Sequence, residues 1–299
     1  MYRILEARSV GLNIRQFVIE APRIARKQRP GQFVIVRLHE KGERIPLTIK
    51  SSDAEAGTVT LAVQAVGKTT SLMNCLESGD SILDIVGPLG RPSEIANYGV
   101  VAILAGSVGT AMALPTAKAL KDAGNHVIFV QGARNKDMVV FEDEVRQAST
   151  EAYILTDDGG YGEKGLVTKK LIEILAADRH LDFVLAVGPV PMMHAVACIT
   201  APLGIKTMVS LNSIMVDGTG MCGGCRVLLG SQSKFACVDG PEFDASLVNF
   251  HVLMQRNAIY RDKECESLQR FEVNREAELV RLRVELAERG PGEGERHYV

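Results

Sequence analysis

The sequence lacks an excess of either charge. Its 34 lysines and arginines stand against 36 aspartates and glutamates, a formal net charge of -2, with no long basic run. A nucleic-acid partner, whose phosphates demand concentrated positive charge, is therefore not expected. Long apolar runs are missing too. Stretches such as Val100 to Ala105 fall far short of the roughly 20 residues that cross a bilayer, so no membrane span is expected. The opening MYRILEARSV has no signal-type hydrophobic stretch, which makes the cytoplasm the expected compartment. In a reducing compartment, clustered cysteines are metal ligands more often than disulfides.

The chain does have length and a globular composition. With 299 residues, 46% hydrophobic and 23% charged, it exceeds what one core organises and suggests about two or three domains. Residues 1–95 read as short strands (YRILEARSV, IRQFVIEA, GQFVIVRL, TVTLAVQAV) between Gly, Pro and charged turns, a spacing that suits an antiparallel β-barrel. From 96 to 212 apolar strands alternate with helical patterns, the signature of an α/β domain with a parallel sheet. Residues 213–250 are rich in Gly and Cys. The last part, 251–299, is a charged helix with a thin stripe of Leu279, Leu282 and Leu286, then a Gly/Glu tail; a solvated helix and a partner-docking helix both fit. No internal repeat is evident.

Several short motifs carry chemistry. RIPLT at 44–48 offers Arg44 to pair with a pyrophosphate, Pro46 to stiffen an extended backbone and Thr48 to place a hydroxyl near a flat ring. GKTT at 67–70 sets hydroxyls behind a glycine, suited to capping a helix and holding phosphate, and GPLG at 87–90 reads as a turn at the domain border. In AGSVGTAMALP, Gly106 and Gly109 let the backbone approach a pyrophosphate at the helix that begins near Thr110. Gly188, in VGPVPMM, ends a later strand of the same sheet.

Three cysteines, Cys222, Cys225 and Cys237, fall within sixteen residues, and a four-ligand metal site needs one more donor. Counting back with the C-x4-C-x2-C spacing of plant-type 2Fe-2S clusters lands on Asp217. Carboxylate oxygen is a competent iron ligand, harder than thiolate. Cys265 is the other possible fourth ligand. Zinc is the competing metal, although no second Cys-x2-Cys or His pair completes a zinc site. His194 and His251 are single and read as structural, and Cys75 and Cys198 sit in apolar contexts and read as core residues.

The order of these motifs resembles the ferredoxin-NADP reductase superfamily over about residues 1–250. The resemblance implies FAD on Arg44, Pro46, Leu47 and Thr48, with Gly67, Thr69 and Thr70 on its phosphates. It implies NAD(H) at Gly106, Gly109, Thr110 and Gly188, with Asp157 and Asp158 at the adenine ribose. Acidic side chains there accept from a 2'-hydroxyl and repel a 2'-phosphate, favouring NAD(H) over NADP(H), unless the two are simply a solvated turn. Relatives often show three glycines in a row where Ala105, Gly106 and Ser107 stand, a proline near Met112, and Cys at Val187. The segment MVDGTGMCGGCRV to FACVDGPEFD resembles the small subunits of NADH-dependent reduced ferredoxin:NADP oxidoreductases and of sulfide dehydrogenases. The electron-transfer subunit of dihydroorotate dehydrogenase B is a relative with four cysteines. The resemblance thus implies an FAD and 2Fe-2S oxidoreductase subunit without a catalytic acid/base pair. A larger flavin and iron-sulfur subunit would be its partner, with the tail near the contact and ferredoxin reached through that partner. A subunit feeding a dihydroorotate-oxidising partner, and a non-catalytic flavin or nucleotide sensor, are the alternatives.

Overall fold

The computed structural model describes residues 1–289. The N-terminal part comprises β1 (Tyr2–Gly11), β2 (Ile14–Glu20), α1 (Pro22–Ala25), β3 (Phe33–Arg37), β4 (Arg44–Asp53), β5 (Thr58–Gln64), α2 (Lys68–Met73), β6 (Ser81–Ile82) and β7 (Asp84–Leu89). They form one antiparallel sheet in the order β6-β1-β2-β5-β4-β3-β7. β6 and β7 are consecutive in the chain, with Leu83 alone between them, yet they hold opposite ends of this order. The sheet must therefore curl until its edges nearly meet. Alternation fills the interior: Val59, Leu61 and Val63 of β5 join Val34, Val36, Leu47 and Ile49 in a single buried cluster. GPLG is not a turn. Gly87, Pro88 and Leu89 complete β7, and a proline is tolerated there because β7 is an edge strand that lacks a neighbour on one side.

The second sheet is built from β8 (Val100–Gly106), α3 (Gly109–Asp122), β9 (His126–Ala133), α4 (Glu142–Ala148), β10 (Glu151–Thr156), β11 (Glu163–Lys164), α5 (Val167–Ala176), β12 (Phe183–Val187), α6 (Val190–Thr200) and β13 (Lys206–Ser210). These strands are parallel. The cluster-motif segment adds the hairpin β14 (Arg226–Leu229) and β15 (Gln232–Phe235), α7 (Ala236–Asp239), and β16 (Glu242–Asp244), which runs antiparallel to β13. The order is β11-β10-β9-β8-β12-β13-β16, so the chain turns to opposite sides after β8 and opens a crevice between β8 and β12. Both faces are covered, which explains the unbroken apolar run of β8. Ala102 and Leu104 pack under α5 and α6, while Val101, Ile103 and Ala105 pack under α3 and α4. The first of these cores also holds Cys225, Val227, Ala236, Cys237 and Phe243, together with Phe33 and Ile35 of β3. The cysteine segment is thus welded to both larger units.

The chain ends in α8 (Phe250–Asn257) and the long α9 (Arg261–Arg289), which departs from helical geometry at Asn274. The leucine stripe of α9 is neither solvated nor left open for a partner. Phe271, Leu282 and Leu286 enter the core of the curled sheet, and Leu279 packs against it. Arg283 pairs with Asp80 at 2.9 Å, and Glu285 accepts from the Glu40 amide at 2.8 Å. The thin leucine stripe is sufficient because Phe271, a turn beyond the kink, widens it. Phe271 is 1% exposed, so Phe271→Ala should cost about 3–5 kcal/mol of stability. A urea midpoint equal to that of the parent protein would show that the helix does not contribute. The Gly/Glu tail, expected near a partner contact, lies outside the described residues.

Candidate functional site

The RIPLT residues occupy β4, where the two-residue period puts Arg44, Pro46 and Thr48 on one half-exposed face and turns Leu47 into the core. Leu47 can therefore meet a flavin only through its backbone. Arg37, opposite Arg44 in register, is held by Asp84, but Arg44 has no carboxylate partner among the described residues. A half-buried guanidinium without a counter-ion fits a pyrophosphate. At the start of α2, Thr70 Oγ1 accepts from the amides of Val66 and Gly67 at 3.0 Å and so serves the turn itself. Thr69 is buried and donates to Glu43 Oε2 at 2.5 Å.

At the crevice between β8 and β12 lies a cavity of about 490 Å³, lined by Gly106, Ser107, Arg134, Asp157, Pro189 and Met192, with Gln64 from the curled sheet closing one side. A side chain on Gly109 would place its Cβ 2.4 Å from the Val187 carbonyl oxygen, so α3 can approach β12 only with glycine there. Ser107 has a left-handed backbone (φ 53°), a conformation that favours glycine, which accounts for the glycine run in the resembled family. Its hydroxyl is buried without a partner, as is that of Thr110. Unsatisfied polar atoms at a helix start and a glycine-bared crevice fit a dinucleotide. Gly188 abuts this crevice: a Cβ on it would lie 3.2 Å from the Gly106 amide.

The two aspartates separate. Asp157 lines the cavity, whereas Asp158 accepts from the Gly160 amide at 2.9 Å and closes its own turn. Arg134, which follows β9 at the same edge, was not singled out from sequence. Its position just after an apolar strand of a parallel sheet was the available signal, and it brings a cationic side chain to the cavity lining.

In the cysteine segment, Cys225 and Cys237 are buried with their sulfurs 3.1 Å apart, while Cys222 is exposed. Amides point at the sulfurs: Cys237 N lies 3.4 Å from Cys225 Sγ, and Gly224 N 3.4 Å from Cys222 Sγ. Burial, and then the contact with Cys225, push the Cys237 thiol up to about 12, so binding iron must displace its proton. Asp217 accepts from Thr219 N at 2.8 Å and Cys222 N at 2.7 Å; the first of these leads in holding its carboxyl below the usual range. Among the described residues no three His, Cys, Asp or Glu side chains already stand at metal-binding geometry. The donor set and its inward amides fit an iron-sulfur cluster, with two sulfurs in place and Cys222 outside. Gly218 presses on the curled sheet: a Cβ there would lie 2.6 Å from Leu89 and 2.9 Å from Ile35, the residue that faces Pro46 in register.

The remaining candidates separate from this site. Cys265 is exposed on α9. Cys198 is exposed too, contrary to the expectation of a core position, because α6 buries Val190, Met193, Val196 and Ala197 and turns Cys198 outward. Cys75 is half-buried against the curled sheet, and His194 stacks on Phe250 with ring centroids 4.9 Å apart.

Residues 2–93 match the family described as the oxidoreductase FAD-binding domain, and residues 212–249 match the iron-sulfur cluster binding domain of dihydroorotate dehydrogenase B. A homolog of the dihydroorotate dehydrogenase B (NAD(+)) electron transfer subunit from Thermotoga maritima is 47% identical over 268 residues, covering 90% of this chain and 94% of its own. The electron transfer subunit from Desulforamulus reducens is 31% identical over 254 residues, 81% of this chain and 94% of its own. A solved structure of an NADH-dependent reduced ferredoxin-NADP oxidoreductase superposes with a TM-score of 0.86 at 44% identity, over 91% of this chain and 98% of that one. A cytochrome P450 reductase from Amycolatopsis, 19% identical with a TM-score of 0.57 over 69% of this chain and 68% of its own, shares the fold alone.

Fold and site together define a flavin oxidoreductase subunit of the ferredoxin-reductase type with an iron-sulfur segment. Within that class, the chain belongs to the family of the dihydroorotate dehydrogenase B electron transfer subunits and their homologues. No described helix is long and apolar enough to cross a membrane.

Proposed function

We propose that this subunit passes electrons between NAD(H) and a larger flavin and iron-sulfur subunit, by way of FAD on the outer face of β4 and a 2Fe-2S cluster on Asp217, Cys222, Cys225 and Cys237. The flavin supplies the conversion between two-electron hydride chemistry and single-electron transfer. The protein's part is placement. The observation that carries the reading is the seat of Gly218 against Ile35 and Leu89, which puts the cluster loop beside the flavin strand, while Gln64 of the same sheet borders the nucleotide cavity.

The way out lies on the cluster side. Exposed Cys222 is flanked by Met221, 89% exposed, and shares a pocket with Val216, Ile259 and Tyr260, all of them exposed. Apolar side chains bared around a redox site suit docking of the partner subunit. A partner of the ferredoxin:NADP oxidoreductase kind is favoured over a dihydroorotate-oxidising one by Asp217 in the place of a cysteine.

Rapid mixing of anaerobic holoprotein with NADH or NADPH tests the reading. NADH should bleach the flavin faster at matched concentrations, and the cluster should follow. Asp157→Asn should narrow the preference by about tenfold, the effect of ~1.4 kcal/mol. Faster reduction by NADPH would sink the ribose role of Asp157, and no reduction by either nucleotide would favour the sensor.

A further inference from the structure

The last turn of α8 lies beyond the matched iron-sulfur segment, which ends at residue 249. It nonetheless reaches back to that segment twice. Arg256 Nη2 donates to the Gly224 carbonyl at 3.1 Å, across 32 residues of sequence, and Asn257 Nδ2 donates to the Asn212 carbonyl at 3.0 Å. The start of the helix is held as well, by the Asn249 amide on the Leu228 carbonyl at 2.9 Å. Leu253 anchors the middle in the shared core. One short helix thus grips the first residue of the segment, its hairpin, and the turn between Cys222 and Cys225.

Gly224 is the telling contact. It lies inside the C-x2-C turn, and its own amide is directed at the Cys222 sulfur. Arg256 therefore fixes the residue that presents an N–H to a ligand sulfur, and it brings a half-buried positive charge to the same turn. Arg226, the other cation close by, is exposed and lies over the Phe235 ring, 5.5 Å from its centroid. Of the nearby carboxylates, Asp239 accepts from Phe235 N, while Asp217 accepts from Thr219 N and Cys222 N and so stands in the ligand loop itself, where it brings a negative charge opposite in sign to that of Arg256. A cation near an iron-sulfur cluster favours the reduced form, which carries one more negative charge, and outer hydrogen bonds orient the ligands.

We infer that Arg256 is a positioning residue for the cluster: it holds the Cys222–Cys225 turn through Gly224 and raises the cluster's reduction potential by its charge. This rests on the reading of Asp217 to Cys237 as a cluster site, and the test separates the two. Reductive titration of holoprotein, followed by electron paramagnetic resonance, gives the potential, and chelator-driven bleaching gives the rate of cluster loss. In Arg256→Gln and Arg256→Met the oxidised-to-reduced ratio at fixed potential should rise about tenfold, equivalent to ~59 mV downward for one electron. Cluster loss should accelerate in both. Arg256→Lys, which keeps the charge and a donor, should restore the potential to within about threefold of the parent ratio. Two neutral variants guard against one failing to fold. A cluster-bearing protein whose potential is the same in either neutral variant overturns the role of Arg256 alone. A parent protein that assembles no iron-sulfur cluster overturns both.

Discussion

Arg44→Ala should be isolated with little FAD. The guanidinium stands on the outward face of β4 beside Pro46 and Thr48, half-buried and without a carboxylate among the described residues. Arg37 cannot replace it, because the ion pair with Asp84 holds that side chain. Hydrogen bonds to charged groups are worth about 1.5–3 kcal/mol each. Losing a bidentate contact should therefore weaken FAD binding by about a hundredfold or more, since ~1.4 kcal/mol is a factor of ten. Arg44→Lys should recover part of this, since an ammonium restores the charge but not the planar fork. The bound flavin per protein after purification, and the dissociation constant from flavin fluorescence, measure the effect. Full occupancy with unchanged affinity in Arg44→Ala would remove Arg44 from the flavin site. The fold should survive the change, because Arg44 is not among the residues of the barrel core.

The architecture was legible because its signals are local. Alternation in TVTLAVQ and the buried run VVAILAG each report which faces are covered, and the change from one rhythm to the other separates the curled sheet from the parallel one. Errors arose where burial depends on distant partners. Cys198 lies in a helix that is apolar nearly all round, so composition could not tell its inner face from its outer one. The stripe on α9 looked too thin to dock because Phe271 lies a few residues before the stretch that shows it. GPLG holds three residues typical of turns, but an edge strand accepts a proline, and edge position is a property of the sheet. Asp157 and Asp158 are adjacent and chemically identical. The fold separates them, with Asp157 on the cavity wall and Asp158 taken up by the Gly160 amide. Arg256 carries no signal of its own in the sequence for a related reason, since its contact is with Gly224, 32 residues away.

The fourth cluster position decides how the cluster behaves, and variants of Asp217 and Cys265 should resolve it. The two carboxylate oxygens of Asp217 already accept from Thr219 N and Cys222 N. Each oxygen retains another lone pair, so iron can be added without breaking the loop. Asp217→Cys should keep the cluster, because the spacing then matches the plant-type pattern, while its potential and paramagnetic resonance signal shift with the softer donor. Asp217→Ala should give a cluster that bleaches many times faster, but it removes the loop contacts together with the ligand. Asp217→Asn separates these effects. Its amide oxygen can still accept from Thr219 N, so the turn remains, yet a neutral amide is a poor ligand for iron. If Asp217 ligates, Asn should be nearly as labile as Ala; if it only shapes the loop, Asn should hold the cluster as the parent does. Cys265→Ser should change neither potential nor lability, since that thiol is exposed on α9. A cluster lost in Cys265→Ser and unaltered in Asp217→Ala would transfer the position to Cys265. Zinc in place of iron in anaerobically purified protein would remove the redox role of the segment, because a zinc ion cannot change its charge to carry an electron.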